Sequence, residues 1–160
     1  MEPFAGKEPI EAAVERNAQH MLRAARAILR STSDAQDAVQ EAFLKLLQKQ
    51  PTFRDDEHEK AWLLRVTINL AKNEAKRRRR FADDAVPESA AAPPEEPSDV
   101  LRAVQCLPAS YRIVIHLYYY EGYSIKEIAR LLHLPAATVG TRLRRGREKL
   151  KTILEQEDAT

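Results

Sequence analysis

The hydrophobic positions of this chain recur at intervals of three and four residues over long stretches, and apart from residues 82–97 the interruptions between those stretches are short. Successive residues of a helix are rotated by about 100°, so this period puts apolar side chains on one side of a helix. Ile10, Val14, Met21, Leu22, Ala25, Ile28 and Leu29 form such a stripe and predict a first helix up to Arg30. Ser33, with Gln36 three residues on, reads as the cap of a second helix whose buried face is Ala35, Val39, Ala42, Phe43 and Leu46. Gln50-Pro51 ends it, because proline has no N–H to donate and restricts the residue before it. A polar loop, Thr52 to His58, leads to a third helix starting near Glu57. That helix is apolar on two sides, with Trp62, Leu63, Val66 and Leu70 on one and Ala61, Leu64, Ile68 and Ala71 on the other, as expected of a helix buried twice.

Farther along, Ser98 reads as the cap of a short helix with Val100, Leu101 and Val104, and Pro108 opens another with Ile113, Val114, Leu117 and Tyr118. Glu121-Gly122-Tyr123 turns the chain into Ser124, which forms a capping box with Glu127. Ile125, Ile128, Ala129 and Leu132 line the helix that follows, and His133-Leu134-Pro135 stops it. A last helix from about Ala136 keeps Val139, Leu143, Leu150 and Leu154 inward and turns Ala137, Thr141, Arg144, Arg145 and Glu148 outward. Ala129 is small enough for these two helices to cross closely and Val139 fills the angle between them. This is the packing signature of a helix-turn-helix. Nothing reads as a strand series. The expected fold is all-α: two small helical domains, residues 1–81 and 98–160, joined by a flexible linker over residues 82–97, ADDAVPESAAAPPEEP, whose proline, alanine and acid cannot bury a core.

Charge adds what periodicity leaves out. The net charge of the 160 residues is only +2, but it is strongly segregated. Lys72, Lys76 and Arg77 to Arg80 form one basic block, Arg142, Arg144, Arg145, Arg147, Lys149 and Lys151 another, and Asp83, Asp84, Glu88, Glu95, Glu96 and Asp99 lie between. Two separated cationic ends suit two contacts with one polyanion. In the second block only Glu148 interrupts the cations, whereas a merely solvated face interleaves both signs. On the third helix the strip left by the two apolar sides is Arg65, Asn69, Lys72 and Lys76, basic with one amide, running into four arginines. Like charges so crowded are tolerated where phosphates neutralise them. Phe53 and Trp62 either stack on unpaired bases or pack, Trp62 by its stripe belonging to the core. On the second helix Asp37, Gln40, Glu41 and Leu44 share the outer face, an apolar side chain in an acidic patch, although one exposed leucine says little by itself.

Other chemistries find no foothold. One cysteine, Cys106, excludes an internal disulfide framework and reads as a small buried hydrophobe. His20, His58, His116 and His133 lack metal-ligand spacing, His116 reading as a core residue, and neither a paired-acid motif nor a glycine-rich phosphate loop is present. No catalytic residue, metal or cofactor is therefore expected. No apolar run approaches the roughly 20 residues that span a bilayer, and no signal peptide is evident, so a cytoplasmic location is expected.

With these residues in view, the chain resembles the extracytoplasmic-function (ECF) group of bacterial RNA polymerase sigma factors. DAQDAVQEAFLKLL (Asp34 to Leu47) is similar to the group's core-polymerase-binding segment and AWLLRVTINLAKNEAKRRRR (Ala61 to Arg80) to its promoter-melting helix. LPASYRIVIHLYYYEGYSIKEIARLL with TVGTRLRRGREKLK is similar to its C-terminal DNA-binding domain. The resemblance implies that Asp37, Gln40, Glu41 and Leu44 dock on a coiled coil of the polymerase's largest subunit, and that the C-terminal domain meets the flap of the second-largest. Phe53, Arg65, Asn69, Lys72, Lys76, Arg77 and Arg78 would engage the minus-ten element, with a flipped base held by Phe53, its loop and Asn69. Thr138, Thr141, Arg142, Arg144, Arg145 and Arg147 would engage the minus-thirty-five element, with Thr141, Arg144 and Arg145 in the major groove and Arg142 and Arg147 on phosphates.

Members of the group are commonly held inactive by an anti-sigma protein, in some cases membrane-bound, and the linker would permit that. The free chain is expected to be a monomer. Three positions depart from the group: Gly140, where Lys or Arg is usual, costs the helix about 1 kcal/mol against Ala; His133 replaces a turn glycine, a strained but tolerable choice if φ is positive; and Ile68 stands where Arg is frequent, weakening the expected grip on DNA. The competing reading is a stand-alone helix-turn-helix regulator that binds operators as a dimer.

Overall fold

The computed structural model describes residues 10–81 and 99–158, and all regular structure among them is helical. The expected linker, 82–97, and the expected cap Ser98 lie outside the described residues. The elements divide into two compact units, α1 to α3 in one and the remaining helices in the other.

In the first unit α1 (Ile10–Ile28), α2 (Thr32–Lys49) and α3 (Asp56–Phe81) pack against one another pairwise. Ala13, Met21, Val39, Ala42, Leu46 and Leu63 form the core, and Ile10, Leu22, Phe43, Phe53, Trp62, Val66 and Leu70 pack partly buried around it. The two-sided apolar pattern of α3 is explained by this arrangement: Leu63, Leu64, Ile68 and Ala71 are buried because α3 meets both α1 and α2. Ile68 therefore faces the core, away from the exposed strip.

A polar tie runs through the same unit. The Glu59 carboxylate, 5% exposed, accepts hydrogen bonds from Arg16 Nη2 at 2.9 Å and Asn17 Nδ2 at 2.8 Å, and Asn17 also donates to the Ala13 carbonyl at 2.9 Å. A buried carboxylate is tolerated when its oxygens are satisfied in this way. The cap of α2 corrects the sequence expectation: it is Ser31, extended at φ −81° and ψ 123°, whose Oγ accepts from the Asp34 N–H. Ser33 falls inside the first turn, since the link from α1 is only three residues and the helix opens as soon as it ends. Gln50 closes α2 in the left-handed region, φ 44°.

In the second unit α7 (Ala136–Asp158) is the element that α4 (Asp99–Gln105), α5 (Ala109–Ile115) and α6 (Ile125–Leu132) all contact. Leu107, Ile113, Val114, Leu117, Ile128, Leu131, Leu132, Val139 and Leu143 fill its core, while Leu150 and Leu154 are half-buried. α5 continues as a wide π-helical turn, His116–Tyr120, where His116 is half-buried and stacks on Tyr120 at 5.1 Å. Gly122 at φ +77° then lets the chain reverse, a backbone state costly for any side chain with a Cβ. Cys106 is exposed, contrary to the buried hydrophobe expected, because Leu107 next to it takes the inward position as α4 ends. Arg112 is buried and donates from Nη1 to the Leu107 carbonyl at 2.5 Å, pinning the α4–α5 link.

Candidate nucleic-acid interface

The helix-turn-helix forms as its caps dictate. Ser124 Oγ accepts from the Glu127 N–H at 3.1 Å while the Glu127 carboxylate accepts from the Ser124 N–H at 3.0 Å. The Ser124 N–H first, and then the Ser124 hydroxyl, hold the Glu127 carboxyl below its ordinary value of 4.5. At the other end His133 is left-handed, φ 55°, and both its N–H and that of Leu134 return to the Ala129 carbonyl, so α6 stops before Pro135 rather than being broken by it. Ala129 and Val139 are buried where the helices cross.

The outer side of α7 carries the predicted upstream contacts, and the structure sorts them. Arg144 and Arg145 are exposed, and Thr138, Thr141 and Arg142 half-exposed. Thr138, Thr141, Arg142 and Arg145 line one open groove of ≈ 440 Å³, closed on its far side by Ser110 and Tyr111 of α5. Hydroxyls and guanidiniums converging on an open groove form an anion-receptive surface. Ser110 and Tyr111 escaped sequence reasoning because they precede the helix-turn-helix in the chain and belong to another helix; only the neighbouring α5 start at Pro108 hinted that they sit at a helix end. Arg147 is not part of this group. Its guanidinium lies 5.5 Å from the ring centroids of both Tyr118 and Tyr119, on another flank of α7.

The crossing of α5 and α7 depends on a glycine that the apolar pattern does not single out. Gly146 is buried, and a Cβ there would fall 2.8 Å from Ile115 Cδ1. Gly140, by contrast, has open space where its Cβ would be, so the absent Lys or Arg leaves a gap on the surface and no defect in packing.

On α3 the strip is present as read: Arg65, Asn69 and Lys76 are exposed and Lys72 half-exposed, with exposed Asn73 beside it. Phe53 is half-buried, edge-on to His58 at 5.3 Å and to Trp62 at 5.9 Å, so its ring packs on the unit rather than standing free. Trp62 and Asn69, seven residues apart, point in nearly the same direction about 10 Å along the helix axis, which sets the aromatic cluster at one end of the strip. The loop is ordered by Asp55, whose Oδ1 accepts from the His58 N–H at 2.8 Å and opens α3. Beyond Lys76, Arg77 pairs with Glu74 at 2.6 Å, and Arg78 with Asp34 of α2 at 2.7 Å. Arg77 chiefly, then Arg78, holds the Glu74 carboxyl below its ordinary range.

On α2, Asp37, Gln40, Glu41 and Leu44 share one outer face, and Leu44 is 55% exposed. Leu47, 47% exposed and one turn on, enlarges the apolar spot to two leucines. At 100° per residue Leu47 leans toward the Leu44 face, whereas Leu46 falls at the centre of the buried one.

Two helical units, the second built on a helix-turn-helix, define a DNA-binding architecture of the transcription class. The match to known proteins makes that class specific. The family model for Sigma-70 region 2 covers residues 13–81, and that for Sigma-70, region 4 covers residues 98–150. The ECF RNA polymerase sigma-E factor of Escherichia coli is 31% identical over 139 residues, 74% of this chain and 73% of its own. The ECF sigma factor SigE of Mycolicibacterium smegmatis is 29% identical over 91% of this chain, which spans 62% of that longer relative. Among solved structures, the sigma factor RpoE of Bartonella quintana, determined in complex with the anti-sigma factor NepR, superposes with a TM-score of 0.74 at 25% identity, covering 91% of this chain and 96% of that one. The chain belongs to the ECF group of RNA polymerase sigma factors. A stand-alone dimeric regulator does not account for the region 2 match that covers the first unit.

Proposed function

We propose that this chain joins RNA polymerase core through the outer face of α2, carries it to promoters, and opens them, the chemistry remaining with the polymerase. The observation that carries this reading is Leu44: an apolar side chain held 55% in solvent among Asp37, Gln40 and Glu41, on a helix whose opposite side is already buried, is a surface built for a protein partner. α7 fixes register upstream, with Thr141, Arg144 and Arg145 on base edges and Ser110, Tyr111, Thr138 and Arg142 on phosphate around the groove. Arg147, laid on its tyrosines, serves another wall. Along α3, Arg65, Lys72 and Lys76 hold a single strand while a base taken from the stack is received between Asn69 and the Phe53 loop. Base stacking on an aromatic surface contributes about 1–3 kcal/mol, the order of what unstacking costs.

One chain reading two different elements needs no dimer symmetry, and the free protein is a monomer. Residues 82–97 act as the tether between the two readers. Region 4 meets the flap of the second-largest polymerase subunit. An anti-sigma protein is a further partner, a reading supported by the complex in which the RpoE relative was solved. The protein acts in the cytoplasm, where promoters are, and no described helix is long and apolar enough to cross a membrane.

The test is run-off transcription with purified core polymerase on genomic fragments. Addition of the chain is expected to confer initiation at a defined set of start sites, lost with Leu44→Asp or Asn69→Ala; if the purified protein never confers initiation on core enzyme, the proposal fails.

A further inference from the structure

The arginine run that closes α3 is not uniformly available. Arg77 sets Nε 3.0 Å from Glu74 Oε2 and Nη2 2.6 Å from Oε1, a two-point fork on one carboxylate. Arg78 reaches across to the first turn of α2, where its Nη2 lies 2.7 Å from Asp34 Oδ2 and 2.9 Å from Oδ1, while its Nε lies 3.4 Å from Glu74 Oε1. The Asp34 side chain is 13% exposed and that of Glu74 25%, against 40% for Arg78 and 59% for Arg77, so the Arg78–Asp34 pair is the less screened of the two and Arg77–Glu74 acts by occupying donor geometry. Lys76, just before the pair in sequence, is exposed.

We propose that Asp34 and Glu74 are built-in counterions that occupy the donors of Arg77 and Arg78 and so hold down the affinity of the α3 track for nucleic acid. This rests on the reading of α3 as a nucleic-acid surface. A guanidinium grips a phosphate through the same paired N–H edge that it offers a carboxylate. A phosphate approaching Arg77 or Arg78 must therefore displace a carboxylate already in place, and it meets that negative charge at close range. Asp34 sits on the helix that carries Asp37, Gln40, Glu41 and Leu44, so the same ion pair fixes the end of the DNA track against the start of the polymerase-facing helix. Arg78 is accordingly a positioning residue rather than a phosphate ligand in the free protein.

The salt dependence of binding separates this from a tie that only holds two helices together. Each phosphate neutralised contributes roughly 0.7 to the slope of log affinity against log salt for a single strand and roughly 0.9 for a duplex. The full-length chain is titrated onto labelled single-stranded and duplex oligonucleotides between about 50 and 200 mM salt, the window in which such slopes are read. Glu74→Gln combined with Asp34→Asn is expected to bind more tightly at the low end and to lose about threefold more affinity across the window for each arginine set free. Glu15→Gln, an exposed acid on α1 outside the network, changes net charge without changing the slope. In the native background Arg78→Ala leaves the slope nearly unchanged, and in the doubly neutral background it lowers the slope by the equivalent of one phosphate. A doubly neutral variant with native helix content and the slope of the Glu15→Gln control overturns the proposal. So does a slope that falls by a whole phosphate equivalent on Arg78→Ala in the otherwise native chain. A native chain with no salt-dependent binding overturns the nucleic-acid reading itself, and this proposal with it.

Discussion

Two glycines of α7 in opposite surroundings provide the sharpest test of how the second unit is built. A glycine in a helix interior costs about 1 kcal/mol relative to alanine, because its backbone loses more freedom on folding. At Gly140 the added methyl meets nothing within 4 Å, so Gly140→Ala keeps that whole gain, equivalent to roughly 4–8 °C in midpoint for a unit of this size. At Gly146 the methyl would sit 2.8 Å from Ile115 Cδ1 and 3.4 Å from Ile115 Cγ1 and Tyr111 Cβ. Ile115 is 6% exposed, so its Cδ1 has close-packed neighbours rather than solvent to turn into. Overpacking of this kind costs about 1–3 kcal/mol, which cancels or exceeds the helix gain, so the two alanine variants should differ by about 1–3 kcal/mol.

Ile115→Val removes the atom responsible. Alone it costs about 0.5–1.5 kcal/mol, but combined with Gly146→Ala it should recover most of the overpacking, a coupling of about 1 kcal/mol or more. Urea unfolding of the whole chain reads this directly: all five tyrosines lie in the second unit and the single tryptophan in the first. Near-ultraviolet dichroism of tyrosine follows α4 to α7, and Trp62 fluorescence is the internal control. If Gly146→Ala raises the tyrosine midpoint as much as Gly140→Ala, the close α5–α7 crossing is refuted. Because that crossing also sets Ser110 and Tyr111 against Thr138 and Arg145, Gly146→Ala should weaken duplex binding where Gly140→Ala does not.

Other outcomes follow from the same geometry. Leu44→Asp should abolish association with core polymerase in a pull-down while leaving the unfolding free energy within about 0.5 kcal/mol of native, since Leu44 is 55% exposed. Arg145→Ala should weaken binding to the upstream element by about 1–3 kcal/mol and relax preference at one base pair, measured on a panel of single-pair variants; Arg147→Ala, whose guanidinium lies on two rings away from the groove, should leave the relative affinities across the panel unchanged and weaken binding far less than Arg145→Ala. Glu127→Ala should cost about 1 kcal/mol at neutral pH through loss of the capping box. The Glu127 carboxyl is lowered in the folded chain, so its contribution is complete above the ordinary value of 4.5 and disappears as pH falls through the lower folded value. An acid titration of second-unit stability should therefore be shallower in Glu127→Ala than in the native chain.

What the sequence determined by itself is whatever is settled within about a turn of helix. Apolar spacing alone placed α1, α3, α6 and α7, since side-chain direction follows from a fixed rotation per residue. Ser124 with Glu127 marked the start of α6, and Pro135 implied that its predecessors must turn; that His133 takes the left-handed conformation there is shown by the structure. The outward set Arg65, Asn69, Lys72 and Lys76, and the set Thr141, Arg144 and Arg145, were readable for the same reason. Where local signals were equal, reading failed: Ser31 and Ser33 are both plausible caps by type, and the end of α1 decided between them.

The tertiary structure alone decided what depends on two helices meeting. Glu59 finds Arg16 43 residues away and Asn17 42 residues away, and Arg78 finds Asp34 across 44. No spacing along the chain encodes either pairing, because helical period gives the direction of a side chain from its own axis and says nothing about which axis lies opposite. Cys106 was misjudged and Gly146 unnoticed for that reason: whether a small residue is exposed or is pressed by a neighbour depends on where its helix meets the next. The crossing of α5 and α7 also joined Ser110 and Tyr111 to the recognition helix, turning a row of outward residues into a groove with two sides.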